Sequence, residues 1–311
     1  MVRLSCPFPF PHRRALPTAL TTASALLLTA ACGAPEAPKT GLDKARESVP
    51  AALRATGVLR IGSDLNYPPV AFRGTDGRPD GLDPDLADAL GRVLGLPIEI
   101  VDTPFDELIP GVNNRAFDVA MSGISDTPAR RNAIGDNGMP TGKPGVDFVD
   151  YFIAWTSIIV QKGNPKGIRT LNDLCGRTVA LQRGTTQDEI VTRQVAACDR
   201  AGLPLQVHRF DDDAQALAEV AAGKAVADFN DLPVAAYAAR TTDNGNRFEV
   251  TGALSQSSPY GIAVNKKDTA LRDAVAKGLD ELMRNGEYDA ILAKWNVSAG
   301  AARVAAVNGG L

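Results

Sequence analysis

Histidine is almost missing from these 311 residues, with only His12 and His208 present. A zinc site built on imidazoles therefore has no ligand set, and a Ser/His/Asp triad would have to use His208. That residue lies in the alternating run Leu205-Gln206-Val207-His208-Arg209-Phe210, which reads as a strand carrying its imidazole at the surface or edge. Cysteine is scarce too, at four residues, and neither a CxxC spacing nor a neighbouring His marks a catalytic thiol. An excess of positive charge is also lacking. The first 31 residues hold three Arg and no acid, and the remainder carries 30 basic against 36 acidic side chains. Without a basic face to neutralise phosphates, a nucleic-acid partner is excluded. The balance of 44% hydrophobic to 22% charged residues is that of a folded soluble protein of about two domains.

The amino terminus reads as an address. Arg13 and Arg14 precede a charge-free stretch over 15–31 that meets Cys32 and Gly33. A positive region, a short apolar core and small residues before a cut site describe a secretory signal. Pro17, Thr18, Thr21, Thr22 and Ser24 make the stretch too polar, and its length too short, for a spanning helix. Its end, Leu28-Thr29-Ala30-Ala31-Cys32, resembles a bacterial lipobox, with Leu four places before the Cys where three is usual. That resemblance implies lipidation of Cys32 and a protein anchored on the extracytoplasmic face of the cell membrane. Plain secretion and an uncleaved helix are the alternatives. A flexible tether is expected over 32–56, because Gly33 to Gly41 is rich in Pro and Ala and poor in large apolar groups. An exported chain meets oxidising conditions, where Cys175 and Cys198 are expected to form a disulfide. Closing that loop stabilises the fold by about 3 kcal/mol in the chain-entropy model.

From Gly57 onward, short apolar runs alternate with amphipathic stretches. Val58 to Ile61, Ile98 to Val101, Phe117 to Met121, Ser157 to Gln161, Arg177 to Leu181, Ala225 to Phe229 and Tyr260 to Val264 are strand-like, as is the run that holds His208. Leu86, Leu90 and Leu94 recur at helical spacing, as do Ile190, Val191 and Val195, then Ala216, Leu217, Val220 and Ala221. A long helical stretch from Thr269 to Trp295 is broken at Asn285-Gly286, and the Ala/Gly-rich tail over 298–311 is expected to be frayed. Strands separated by helices imply an α/β fold with covered parallel sheets.

Several segments follow one another in a particular order. Asp64-Leu65-Asn66-Tyr67-Pro68-Pro69 leads to Gly81-Leu82-Asp83-Pro84-Asp85-Leu86-Ala87. Phe105-Asp106-Glu107-Leu108 comes next, then Ser122-Gly123-Ile124-Ser125-Asp126-Thr127-Pro128-Ala129-Arg130 and Gln182-Arg183-Gly184-Thr185-Thr186-Gln187. Asn230-Asp231-Leu232-Pro233, Tyr260-Gly261-Ile262-Ala263-Val264 and Gly286-Glu287-Tyr288 close the series. Together they resemble the family 3 solute-binding proteins of bacterial ABC importers, the polar amino-acid binders, from about Gly57 to Val297. Pro84 occupies a position that is usually apolar, which a first helical turn tolerates.

The resemblance implies two lobes of the type II periplasmic-binding fold, with a hinge of two crossing strands near Ala154 to Ser157 and Gly252 to Ser258. Lobe 1 is expected over 57–154 with 258–297, and lobe 2 over 157–250. A free amino acid needs a cation for its carboxylate and a separate anion for its ammonium, because burying either unpaired is costly. Arg130 suits the carboxylate by its two-pronged guanidinium. Thr185 and Thr186 open a helix whose free amides form an anion cradle, with Gln187 in the same loop. The resemblance adds Ser125 and the backbone of Gly123 to the carboxylate side, assigns Asp231 to the ammonium, and makes Tyr67 and Phe105 aromatic walls. Structural readings compete at each position. Arg130 could pair with Asp126 or Asp136, Thr186 could be only a helix cap, Asp228 competes with Asp231, and Tyr67 and Phe105 could be core aromatics. Asp64 stands where binders of cationic amino acids carry an acid, but glutamine binders carry one too, so no cationic ligand is read from it.

No cofactor and no metal are expected. The implied partners are an amino acid, a permease with its ATPase subunits and, through Cys32, the membrane; the chain itself is expected to be a monomer. Two other classes stay open on the same fold: a cyclohexadienyl-dehydratase-like exported enzyme, whose acid or base would have to be a carboxylate such as Asp64 or Glu189, and a sensor module. The segment from Asn132 to Asp147 is longer than is usual in the family, and is expected to be a surface loop near the cleft mouth.

Overall fold

The computed structural model describes residues 39–135 and 139–310. The leader, Cys32 with its lipidation, the tether up to Pro38 and Asp136 lie outside the described residues. The rest of the expected tether is folded. Helices α1 (Gly41–Ser48) and α2 (Ala51–Thr56) bury Ala45 and Leu53, and Val49 between them joins these in the core that α3 (Leu82–Leu94) also supplies. Thr40 and Asp43 form a reciprocal capping box that starts α1. The Pro- and Ala-rich composition on which the tether reading rested ends where this box begins, so 41–56 is corrected from linker to part of the fold.

Parallel pairing begins with β1 (Leu59–Ser63), which lies between β5 (Ile98–Asp102) and β6 (Val119–Ala120). A small antiparallel sheet of β2 (Asn66–Tyr67), β3 (Ala71–Arg73) and β4 (Pro79–Asp80) leads into α3. α3 buries Leu82, Leu86, Leu90 and Leu94 and stops at Gly95 in the left-handed region. The short helices α4 (Leu108–Asn113) and α5 (Pro128–Asn132) flank β6. Then come two long strands, β7 (Val146–Gln161) and, later in the chain, β11 (Phe248–Asn265), which pair antiparallel from Val146↔Asn265 to Phe248↔Gln161. They belong to one six-stranded sheet of order β10-β7-β11-β6-β1-β5, where β10 is Asp228–Asp231.

The expected strands at Ser157 to Gln161 and Tyr260 to Val264 are thus only the ends of these two. The first part of β7 is buried on both faces and lacks the alternation that marks a strand. The pairing slips between Thr251 and Ser257, where register shifts bend the ribbon. Gly252 sits there at φ 61, and a Cβ on it would lie 2.3 Å from the Arg169 carbonyl oxygen, so only glycine fits.

On one side of this bend lies a core of Leu59, Ile61, Leu86, Leu90, Tyr151, Ile262, Val275 and Leu279, to which α9 (Thr269–Asn285) and α10 (Glu287–Lys294) contribute. On the other side, Ile158, Val160, Val179, Leu181, Val191 and Phe229 form a second core. That second lobe contains the parallel pair β8 (Thr178–Gln182) and β9 (Gln206–Phe210), with α6 (Thr186–Arg200), α7 (Asp213–Ala221) and α8 (Leu232–Thr241). His208 is exposed on β9, 3.4 Å from Glu219.

Cys175 and Cys198 are bonded, with their Cα atoms 5.1 Å apart, and tie the approach to β8 to the end of α6. Replacing both by Ser is expected to lower the melting temperature by roughly 6–12 °C, from about 3 kcal/mol of lost chain restriction. An unchanged melting temperature would show that the bridge adds nothing to stability.

The tail also departs from expectation. Residues 301–310 lie along the edge of β7, with bridges Phe152↔Ala301 and Val149↔Val307. The Asp150 amide donates to Ala306 at 2.7 Å and the Asn308 amide to Phe148 at 3.0 Å. β10 covers β7 only from Thr156 to Ile159, so the earlier half of that strand has an open edge whose polar backbone the tail satisfies. The small residues that suggested fraying permit this close approach.

Candidate functional site

The two lobes meet over the carboxyl ends of β1 and β8, the usual place for a site in α/β folds. From lobe 1, Asp64 follows β1, Tyr67 ends β2, Phe105 precedes α4, and Ser125 and Arg130 flank Thr127, the cap of α5. From lobe 2, Gln182 ends β8, Thr185 and Gln187 begin α6, and Asp231 ends β10.

Asp231 is the centre of one cluster. One of its carboxylate oxygens accepts from Gln187 Nε2 at 2.9 Å, and the other accepts from the hydroxyls of Tyr260 at 2.7 Å and Tyr67 at 3.2 Å. All three donors are neutral. Burial raises the Asp231 carboxyl to about 6, against the lowering effect of these hydrogen bonds and of the Arg130 charge. Asp228 turns to the opposite face of the strand. There it accepts from the Asn230 side chain at 2.8 Å and faces buried Asp213. Burial holds the Asp213 carboxyl at about 7.

Asp64 forms the second cluster and is 2% exposed. Its carboxylate accepts from Gln182 Nε2 at 2.7 Å across the cleft and from Asn66 Nδ2 at 2.9 Å. Burial raises its pKa, and the nearby charges of Asp102 and Asp212 act in the same direction. Among the described residues, neither Asp64 nor Asp231 has a cation within ion-pair distance.

Arg130 closes the other end. Its guanidinium donates to the Ser125 carbonyl at 2.9 Å and, across the cleft, to the Gly184 carbonyl at 3.0 Å, and it lies 5.5 Å from the centre of the Phe105 ring. Burial lowers its pKa, opposed by Glu189, Asp231 and Asp126. Asp126 instead pairs with Arg131, at 3.2 Å. Thr185 is the cap of α6 and accepts the Asp188 amide at 3.1 Å. The Thr186 hydroxyl donates to Gln187 Oε1 at 3.1 Å, which links it through Gln187 to Asp231. The Gly123 amide donates to buried Asp83 at 2.8 Å. Within the long 132–147 segment, Ile134 and Pro140 bridge, and Ile134, Thr141 and Lys143 share a cavity of about 370 Å³ with Arg130 and Glu189.

Two residues of the site were not singled out from sequence. Tyr260 and Gln182 each stand in a segment that carries the resemblance, and Gln182 also ends a parallel strand, the position that could have marked it.

The chain matches the family model for bacterial extracellular solute-binding proteins, family 3, over residues 59–298. It is 29% identical over 262 residues to the arginine-binding protein ArgT of Corynebacterium glutamicum, covering 84% of this chain and 81% of that one. With the L-cystine-binding protein TcyJ of Escherichia coli it shares 26% identity over 244 residues, covering 78% and 84%. Among solved structures, an ancestral arginine-binding protein bound to arginine superposes with a TM-score of 0.68 at 32% identity, over 77% of this chain and 98% of that one.

Proposed function

The chain belongs to the bacterial extracellular solute-binding proteins, family 3, and from that membership we propose that it captures a free amino acid with a cationic side chain between its lobes and delivers it to an ABC importer. Arg130 takes the carboxylate, helped by the first turn of α6, and Asp231 takes the ammonium. The observation that carries the cationic class is Asp64, buried at the interface of the lobes with two neutral amides for partners and further acids nearby. A buried carboxylate without a counter-charge is costly, and a guanidinium or ammonium from the ligand would relieve it. The relatives named for arginine support the same choice.

In this reading Tyr67, Tyr260 and Phe105 wall the ligand. The contacts from Asp64 to Gln182 and from Arg130 to Gly184 belong to the closed form, which the ligand favours by bridging both lobes. Export through the leader and a lipid on Cys32 would keep the protein beside its permease. A binding role, without turnover, accords with relatives that are named as binding proteins.

The test is thermal unfolding of the chain from Lys39 onward, refolded to remove bound ligand, with arginine, lysine, ornithine, histidine, glutamine and cystine in turn. For a micromolar site, millimolar ligand adds about 4 kcal/mol, a rise on the order of 10 °C. A rise confined to the cationic amino acids is expected. Shifts with glutamine or cystine alone would overturn the cationic reading, and none with any amino acid would overturn capture of amino acids.

A further inference from the structure

Arg130 sits on a weak support. Helix α5 has five residues, none of them buried. A helix this short does not hold itself, and this one lacks an apolar face to dock. Its start is fixed by Thr127, whose hydroxyl accepts the Arg130 amide at 3.2 Å. Beside the close approach of Gly145 to the Arg131 carbonyl, the next side chain ties the rest of α5 to the body of lobe 1. Successive helical residues point about 100° apart, so Arg130 can enter the cleft while Arg131 turns back. Arg131 is 14% exposed in its side chain and donates to the carbonyls of Asn308 at 2.5 Å and Gly310 at 2.6 Å, as well as to Asp126.

The tail grips the same segment from its own side. The Gly310 amide donates to Asp126 Oδ2 at 2.9 Å, and a Cβ on Gly310 would lie 2.1 Å from the Asp126 carbonyl oxygen. Asn308 is itself fixed, its side chain accepting the Phe148 amide at 2.8 Å and donating to Asp147 at 3.2 Å. The Gly309 amide donates to Asp150 at 2.8 Å. Asp126 directly follows Ser125, whose carbonyl accepts from Arg130. Residues 308–310 lie beyond the stretch that matches the family model, which ends at 298.

We propose that residues 308–310, through Arg131 and Asp126, are the framework that positions Arg130 for the ligand carboxylate. Arg131 is a positioning residue and does not touch the ligand. The role rests on Arg130 being the carboxylate clamp.

The experiment uses three variants of the full chain: one ending at Val307, which keeps the pairing of Val307 with β7; the point variant Gly310→Val; and Arg131→Ala. Hydrogen exchange followed by mass spectrometry is read over 127–134 and over α3 as a control, without ligand, and arginine affinity is measured by calorimetry. Each variant is expected to speed exchange over 127–134 at least tenfold with α3 unchanged, and to weaken arginine binding about tenfold. Unchanged exchange over 127–134, or an equal rise in α3, would overturn the proposal. So would unchanged affinity in a chain where Arg130→Ala abolishes binding. If Arg130→Ala itself binds arginine normally, the clamp reading fails instead, and the exchange result alone decides whether the tail holds α5.

Discussion

Asp231→Asn is expected to weaken arginine binding by about 10²–10³-fold while leaving the ligand-free melting temperature unchanged or higher. Asn keeps the size of the side chain and an oxygen for the tyrosine hydroxyls, so Tyr67, Tyr260 and Gln187 retain much of their packing. What disappears is the charge that this reading sets against the ligand's α-ammonium. Removing one partner of a buried pair costs about 3–5 kcal/mol, because the other charge is left without compensation. In the ligand-free protein the opposite balance holds. Asp231 is 6% exposed, its carboxyl is held by neutral donors, and the ionised form is disfavoured by burial. Neutralising it removes that cost. Calorimetry and thermal unfolding of the same preparation check both halves. Wild-type affinity in the variant would show that the ammonium is held elsewhere, whereas loss of both affinity and stability would show that Asp231 is a structural residue.

Much of the α/β pattern was legible because its determinants are local. Leu86, Leu90 and Leu94 put one face of α3 in the core, and Gly95 ends it; the Thr269 to Trp295 stretch breaks at Gly286, as its Asn-Gly pair suggests. The central ribbon was harder to read. Val146–Gln161 is covered on both faces, so the alternation that betrays a strand is missing, and its continuity with the neighbouring strand depends on long-range pairing. The errors at the two ends have a common cause. Residues 301–310 have the composition of a linker and 41–56 adjoins one, but each finds an open surface in lobe 1: the uncovered edge of β7 for the first, the groove beside α3 and α9 for the second. Composition describes what a segment can bury alone, not what a neighbour leaves open for it. The same limit hid Tyr260 and Gln182, which acquire meaning only when the lobes bring Asp231 and Asp64 against them.

The second large effect is a pair of opposed pH trends. Buried carboxyls in the ligand-free chain titrate late, with Asp83, Asp150 and Asp213 at about 7 and Asp231 at about 6, in each case chiefly because burial disfavours the charge. In the unfolded chain they titrate near 4. Between about pH 4 and 7 the folded state therefore binds more protons than the unfolded state, so its stability falls as pH rises through that window and levels off above it. Carboxylates such as Asp43 and Asp173, held low by hydrogen bonds, act the other way only below about pH 4. The ligand-free melting temperature is expected to be higher at pH 5 than at pH 7.5. Arginine binding runs against this trend, because Asp231 must lose its proton to meet the ammonium. With a value of about 6 in the closed cleft, nine-tenths of the sites are protonated at pH 5, so affinity there is expected to be about tenfold weaker than at pH 8 from this group alone. Asp64, raised in the same direction, adds to the slope. Asp231→Asn should make the affinity profile shallower, leaving the slope due to Asp64, while most of the stability profile stays in place, since the other three carboxyls remain. Calorimetry from pH 5 to 8, in buffers of different ionisation enthalpy, would register the released proton directly; affinity independent of pH with no proton release would mean that Asp231 is already ionised before the ligand arrives.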